Sequence, residues 1–191
     1  MATQKGVEKW KAKRWFTVYA PAVFGKKAVG EIPSNDEKSV IGRNVKVTLS
    51  NLTGNPEHSF TNVILKVVEE KGNAATTQLE RIELPYSYTK SIAKKFRGVF
   101  DAIVPVKASD GTKFVVKLLA ITTRKCTHAK IKAMRGKLGS FTERYFSANT
   151  ADEGIKAIIE KRYQQSAAAE LDNIAQLSNL EVKKLEVYYN A

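Results

Sequence analysis

The sequence predicts an α+β protein with an antiparallel, barrel-like β core, flanking helices, and helices concentrated in the C-terminal third. Three observations favour this fold class. Short segments rich in β-branched and aromatic residues, separated by turn residues, dominate the first two thirds of the 191-residue chain. Apolar residues recur at helical spacing through most of the last third. Strands and helices do not alternate regularly, as they would in a doubly wound parallel sheet.

The strand segments are recognised by alternation and by β-branched or aromatic composition. They are residues 14–19, 45–49, 62–70, 74–82, 99–107, 112–121 and 180–189. Residues 71–73 (Lys-Gly-Asn) and 109–111 (Ser-Asp-Gly) are typical hairpin turns between neighbouring strands. Pro105 places its strand at an edge or a bulge, because proline has no N–H to donate to a ladder. The stretch 25–37, with its glycines and polar residues, predicts turns and loop.

The helices are recognised by apolar residues on one face. Tyr88, Ile92 and Phe96 recur at i, i+4 and i+8, which predicts an amphipathic helix over 85–97 with Pro85 in its first turn. The other predicted helical segments are 128–138, 151–164 and 167–177. From this order we predict three parts: a basic N-terminal extension at 1–12, a β-rich core domain at 13–125, and a helical part at 126–191 that ends in a strand and packs on the core.

The formal net charge of +13 is distributed unevenly. Residues 1–30 carry +6 and residues 91–140 carry +10, whereas 31–90 and 141–191 carry −1 and −2. Such patterning predicts a side that faces a polyanion, most often a nucleic acid. No apolar run approaches the roughly 20 residues that span a bilayer, and the basic N-terminus lacks the apolar segment of a secretory signal. We therefore expect a soluble, intracellular protein.

Little in the sequence suggests catalysis. The chain has no GxxxxGK[ST] loop, no GxGxxG and no HExxH, and its single cysteine excludes a multi-cysteine metal site. Cys126 and His128 form the one conceivable nucleophile–base pair, since i and i+2 share a face of a strand. We favour the interpretation that Cys126 packs and His128 begins a helix. We predict no enzyme activity, no cofactor and no metal.

Basic residues near aromatic ones are the best candidates for nucleic-acid binding. Residues 124–137 contain six cations and no acid, whereas a solvated helix face usually carries both signs. Trp10 is a candidate for stacking on an unpaired base, while Trp15 is expected to be buried as the first inward residue of its strand. The predicted RNA-binding residues are Lys9, Trp10, Lys11, Lys13, Arg14, Lys26, Lys27, Lys94, Lys95, Arg97, Arg124, Lys125, Lys130, Lys132, Arg135 and Lys137.

Four segments together resemble one family of ribosomal proteins. They are KRWFTVYAPAVFGKKAVGE (13–31), IGR with VKVTLSNLTGN (41–55), LPYSYTKSIAKKFRGVFDAIVPVKASDGTKFVVKLLAITTRK (84–125) and, more loosely, the closing NLEVKKLEVYY. Their order and spacing are similar to those of the S-three-Ae (e-type S-one) family of small-subunit ribosomal proteins. The resemblance to this family covers residues 13–137 well. Residues 139–178 diverge, the run at 124–135 has fewer arginines, and the long tails of eukaryotic members are missing.

The resemblance implies a structural role in the cytoplasmic ribosome, on the platform of the small (30S/40S-type) subunit near the messenger exit. The implied partners are ribosomal RNA near the 3′ end of its molecule and neighbouring platform proteins, with messenger RNA or initiation factors as further possibilities. The main alternative is a free-standing RNA-binding or chaperone module that acts off the ribosome. Two others are an RNA-processing enzyme using Cys126 and His128, and a membrane-surface protein using the helix at 85–97.

Overall fold

The computed structural model describes residues 13–35 and 39–189 of the chain. The strands in these residues are β1 (Arg14–Tyr19), β2 (Ala28–Ser34), β3 (Asn44–Thr48), β4 (Asn62–Lys71), β5 (Ala74–Glu83), β6 (Val99–Lys107), β7 (Lys113–Thr122) and β8 (Leu177–Tyr188). The α-helices are α1 (Leu49–Thr53), α2 (Tyr86–Ile92), α3 (His128–Ala148), α4 (Ala151–Ile159) and α5 (Arg162–Leu171). The chain forms two compact units, Met1–Glu80 and Arg81–Ala191.

The first unit is built mainly from β-strands, with the short helix α1. β1 pairs antiparallel with β2 and parallel with the start of β5, while β4 pairs with both β5 and β3. Alternate residues of β1 point to one side, and Phe16 and Val18 are fully buried there with Val40, Val67 and Ala75. This apolar cluster is the core of the unit.

The second unit packs helices on an antiparallel sheet. The last residues of β5 pair with β8, β8 pairs with β7, and β7 pairs with β6. Along β6 every second residue is buried, as expected for a strand with one covered face. Phe114 of β7 lies 5.5 Å, between ring centroids, from Phe146 of α3, and Tyr163 of α5 lies 5.7 Å from the same ring. These rings join the sheet to the helices.

The predicted α+β class, the mostly antiparallel pairing and the concentration of helices toward the C-terminus are confirmed. The described strands do not close into a barrel, because β2 and β3 in the first unit and β6 in the second each pair on one side only. Pro105 lies in β6, which is the edge position that its missing N–H requires. The predicted division at residues 12 and 125 stays a prediction.

Several element predictions are wrong in detail. The helix expected over 167–177 lies at Arg162–Leu171, and Leu177 already begins β8. The expected loop at 25–37 contains β2, and this edge strand tolerates Gly30 and Pro33. The expected helix over 85–97 ends at Ile92, five residues early. The expected helix over 151–164 is two helices, because Lys161 has a left-handed φ of 60° that breaks the ladder between α4 and α5.

Candidate nucleic-acid interface

Two cation-rich loops of the second unit lie against each other. They are the 93–98 loop, between α2 and β6, and the 123–127 loop, between β7 and α3. The N–H of Gly98 donates to Thr122 Oγ1 at 3.1 Å, and the N–H of Thr122 donates to the Gly98 carbonyl at 2.9 Å. The Thr122 hydroxyl donates in turn to the carbonyl of Arg124 at 2.6 Å. A buried threonine therefore ties both loops to the end of the β6–β7 pair.

Gly98 is required for this close approach. A Cβ at Gly98 would lie 2.6 Å from Thr122 Oγ1 and 3.5 Å from the backbone nitrogen of Cys126. The first distance is too short for any side chain, and the hydroxyl is fixed by its hydrogen bonds. The two loops can only meet because residue 98 has no side chain.

The two loops bring five of the predicted cations into one region. We call Lys94, Lys95, Arg97, Arg124 and Lys125 the basic patch. Four of them are exposed, and the half-buried Arg97 donates to the hydroxyl of Ser178. In the sequence these residues form two runs with 26 residues between them, and the Gly98–Thr122 contact brings the runs together.

Phe96 lies in the middle of the 93–98 loop and is exposed. Its predicted place on the buried face of a helix is wrong: the residue is 79% accessible to solvent. Its φ of 66° is left-handed, which is unusual for a bulky side chain. The ammonium nitrogen of Lys125 lies 5.9 Å from the centroid of the ring, within the range of a cation–π contact.

Helix α3 continues from the 123–127 loop and carries four further predicted cations. Lys130 and Lys132 are exposed. Arg135 Nε donates to the carbonyl of Asp101 at 3.0 Å, which fixes the guanidinium against the sheet. Lys137 Nζ donates to the carbonyl of Glu170 at 2.6 Å and lies 3.7 Å from its carboxylate, so its charge has an internal partner. Lys130 and Lys132 are therefore better placed than Lys137 for an external anion.

The two chain segments that carry the basic patch contain no acid. Neither the run 84–98 nor the run 121–142 has an Asp or Glu. Burial, followed by the negative charge of Glu181, raises the pKa of Tyr88 on α2, so its phenol stays neutral at physiological pH. No carboxylate of these two segments therefore offsets the positive potential of the patch.

The predicted cations among the described residues of the first unit form two separate pairs. Lys13 and Arg14 are at the start of β1, while Lys26 and Lys27 are in the turn after its other end. A six-residue strand separates the two pairs by about 17 Å at roughly 3.3 Å per residue. Lys27 Nζ donates to the carbonyl of Leu52 at 3.0 Å.

The structure tests the prediction for one of the two tryptophans. Trp15 is half exposed, because Phe16 and Val18 are the inward residues of β1, so its predicted burial is wrong. Trp10 lies outside the described residues, as do Lys9 and Lys11.

The one conceivable catalytic pair does not form. The thiol of Cys126 lies 3.6 Å from the carbonyl oxygen of Arg124, and His128 is exposed as the first residue of α3. Among the described residues, no three His, Cys, Asp or Glu side chains are grouped so that they could hold a metal ion. No helix in that part of the chain is long and apolar enough to cross a membrane.

An α+β fold with exposed cations on acid-free chain segments and an exposed aromatic ring is typical of nucleic-acid-binding proteins. Comparison with known proteins identifies the family. The model of the Ribosomal S3Ae family matches residues 1–190, so the chain belongs to this family. It is the family that the sequence resembles, and its members are ribosomal proteins and not enzymes.

Curated relatives match nearly the whole chain. The small ribosomal subunit protein eS1 of Picrophilus torridus is 29% identical over 180 residues, which cover 94% of this chain and 86% of the relative. The proteins of the same name from Archaeoglobus fulgidus and Saccharolobus islandicus are each 28% identical, with the same two coverages.

Proposed function

We propose that this chain is a structural constituent of the small subunit of the cytoplasmic ribosome, where it binds ribosomal RNA and supports translation. The family and the names of the relatives, which align with 94% of the chain, support a place in the small subunit. On the subunit we assign it to the platform near the messenger exit. The resemblance of residues 13–55 and 84–125 to the family supports that position.

The observation that carries RNA binding is the basic patch with the adjoining start of α3. Six exposed cations, Lys94, Lys95, Arg124, Lys125, Lys130 and Lys132, lie on segments without an acid. Lysine and arginine side chains contact phosphates without regard to base identity. The RNA backbone is therefore the main ligand of this surface, and binding weakens steeply with salt because phosphate contacts release counterions.

The protein contacts both RNA and other proteins in the assembled subunit. We propose that the RNA is the region near the 3′ end of the small-subunit molecule and that the proteins are platform neighbours. Messenger RNA or initiation factors are further candidate partners near the messenger exit. The basic patch is the proposed RNA side, since its charge suits a polyanion better than a neutral protein surface.

Cosedimentation tests this function. Tagged full-length protein, expressed in cells, should migrate with small subunits and with translating ribosomes through a sucrose gradient at moderate salt. It should leave them as the salt is raised, because its phosphate contacts are screened. Protein found only in the soluble fractions, even at low salt, would contradict the proposal and favour a free-standing RNA-binding module.

A further inference from the structure

We propose that Phe96 is a stacking platform for an unpaired nucleobase, so that the basic patch binds single-stranded RNA in preference to duplex. This inference rests on the proposed function and adds the form of RNA that the patch recognises. Aromatic side chains stack on bases only where those bases are splayed out of a helix, as in loops, bulges and ends. A ring among phosphate-binding cations is the combination that single-strand-binding surfaces use.

Phe96 combines an exposed ring with an unusual backbone conformation. The ring is 79% exposed, so it contributes little to the core. Its backbone has a left-handed φ of 66°, which disfavours a bulky residue and favours glycine or asparagine. A residue that gains little from burial and occupies a strained conformation is a candidate for a function outside the chain.

The surroundings of Phe96 favour a base over an apolar protein side chain. Lys95 and Arg97 flank the residue in sequence, and Lys125 lies 5.9 Å from the ring centroid. A protein partner that covered the ring would bury these three charges, and the segments that carry them, 84–98 and 121–142, have no acid to compensate them. A nucleotide supplies both a base for the ring and a phosphate for the cations.

The loop that presents Phe96 is held in place. Two residues after the ring, the N–H and the carbonyl of Gly98 both pair with Thr122. Arg97, the next residue after the ring, donates to the hydroxyl of Ser178. A preorganised loop loses less entropy on binding, so the ring can contribute most of its stacking energy to affinity.

The ring can be tested with two RNA probes of equal length. One is a twelve-nucleotide oligoadenylate carrying a single 2-aminopurine, and the other is a blunt twelve-base-pair RNA duplex. Binding of the full chain is measured for the wild type, Phe96→Leu and Phe96→Tyr, with thermal unfolding to confirm that each variant is folded. Leucine keeps an apolar side chain but removes the stacking surface, whereas tyrosine keeps it.

We expect Phe96→Leu to weaken binding of the single strand by roughly 5- to 150-fold, the range that one base–aromatic stack represents. It should reduce the quenching of 2-aminopurine and leave duplex affinity and the salt slope unchanged, because it removes no charge. Phe96→Tyr should retain both the affinity and the quenching.

The possible failures can be told apart. Wild-type protein that binds neither RNA and is absent from ribosomal fractions would overturn the proposed function and this inference together. Wild-type protein that binds RNA with the same affinity as Phe96→Leu would overturn only the role of the ring. If Phe96→Leu keeps the wild-type affinity for RNA but enters small subunits less well, Phe96 contacts a neighbouring protein instead of a base.

Discussion

Gly98 determines whether the two loops of the basic patch can meet. We expect Gly98→Ala to lower the free energy of unfolding by about 1–3 kcal/mol, the usual cost of overpacking a filled site. The new methyl group would lie 2.6 Å from Thr122 Oγ1, and that hydroxyl is held by hydrogen bonds to both loops. Chemical denaturation gives the change in stability, and RNA titration should show weaker binding because the patch is displaced.

Gly136 is a matched control for this substitution. It lies within α3, where an added Cβ would meet no atom within 4 Å. Alanine is favoured over glycine in a helix, so Gly136→Ala should stabilise the protein by about 0.5–1 kcal/mol. If the two substitutions changed stability alike, the close contact at Gly98 would not be the cause of its effect.

Most of the candidate site could be predicted from sequence, but its most informative residue could not. Charged side chains are exposed in most folds, so Lys94, Lys95 and Lys125 are readily listed as candidates. The sequence predicts that Phe96 lies on a buried helical face, because it continues the i, i+4 pattern of Tyr88 and Ile92. Three periodic residues do not enforce a helix, and the backbone leaves it at Ala93. The left-handed φ at Phe96 has no signal in a single sequence.

The turn between β6 and β7 also organises the start of α4. Asp110 Oδ1 accepts from the N–H of Thr112 and its Oδ2 accepts from the N–H of Ala151, each at 3.2 Å. Partial burial acts to raise the pKa of Asp110, but these hydrogen bonds outweigh it and hold the pKa below its ordinary value. One carboxylate therefore serves both a hairpin turn and the N-terminus of a helix.

We expect Asp110→Ala to destabilise the protein by about 1 kcal/mol at neutral pH, since it removes two hydrogen bonds at an exposed position. Because the folded pKa is lowered, this stabilisation is present above the ordinary aspartate pKa of about 4 and is lost as the pH falls through the folded value. Urea titrations of both proteins between about pH 6 and pH 2 give the difference at each pH. A difference that does not shrink in acid would contradict a role for the charge.

Helices and strands are predicted best from sequence where the local residue pattern agrees with the packing in the fold. The alternation in 62–82 and 99–121 predicted four strands within a residue or two, since each packs one face on a core and each pair is joined by a short turn. The sequence does not indicate β2, because Gly30 and Pro33 are typical turn residues. Only the pairing with β1 makes the segment a strand. Helix α3 runs ten residues beyond its prediction, since Phe146 near its end packs against Phe114 and Tyr163.

The net charge of the chain is concentrated in local surfaces. Residues 91–140 contain twelve cations, and nine of them lie in the basic patch or on α3. Lys137 has Glu170, and Lys117 lies 3.5 Å from Glu186, so these two charges are already paired within the second unit. Affinity for RNA should therefore depend on which lysines are removed and not only on how many.

Salt dependence can test this claim with two triple variants of equal charge. We expect Lys94→Gln, Lys95→Gln and Lys125→Gln together to reduce the slope of log K against log salt by about 2, since each lost phosphate contact to single-stranded RNA accounts for about 0.7. The control set is Lys107→Gln, Lys113→Gln and Lys156→Gln, all exposed in the second unit. Lys107 and Lys113 pair at the opposite end of the β6–β7 hairpin from Gly98. Each protein is titrated with small-subunit ribosomal RNA between about 50 and 200 mM salt. The control set should leave the slope nearly unchanged. Equal losses of slope in both sets would mean that net charge alone drives binding.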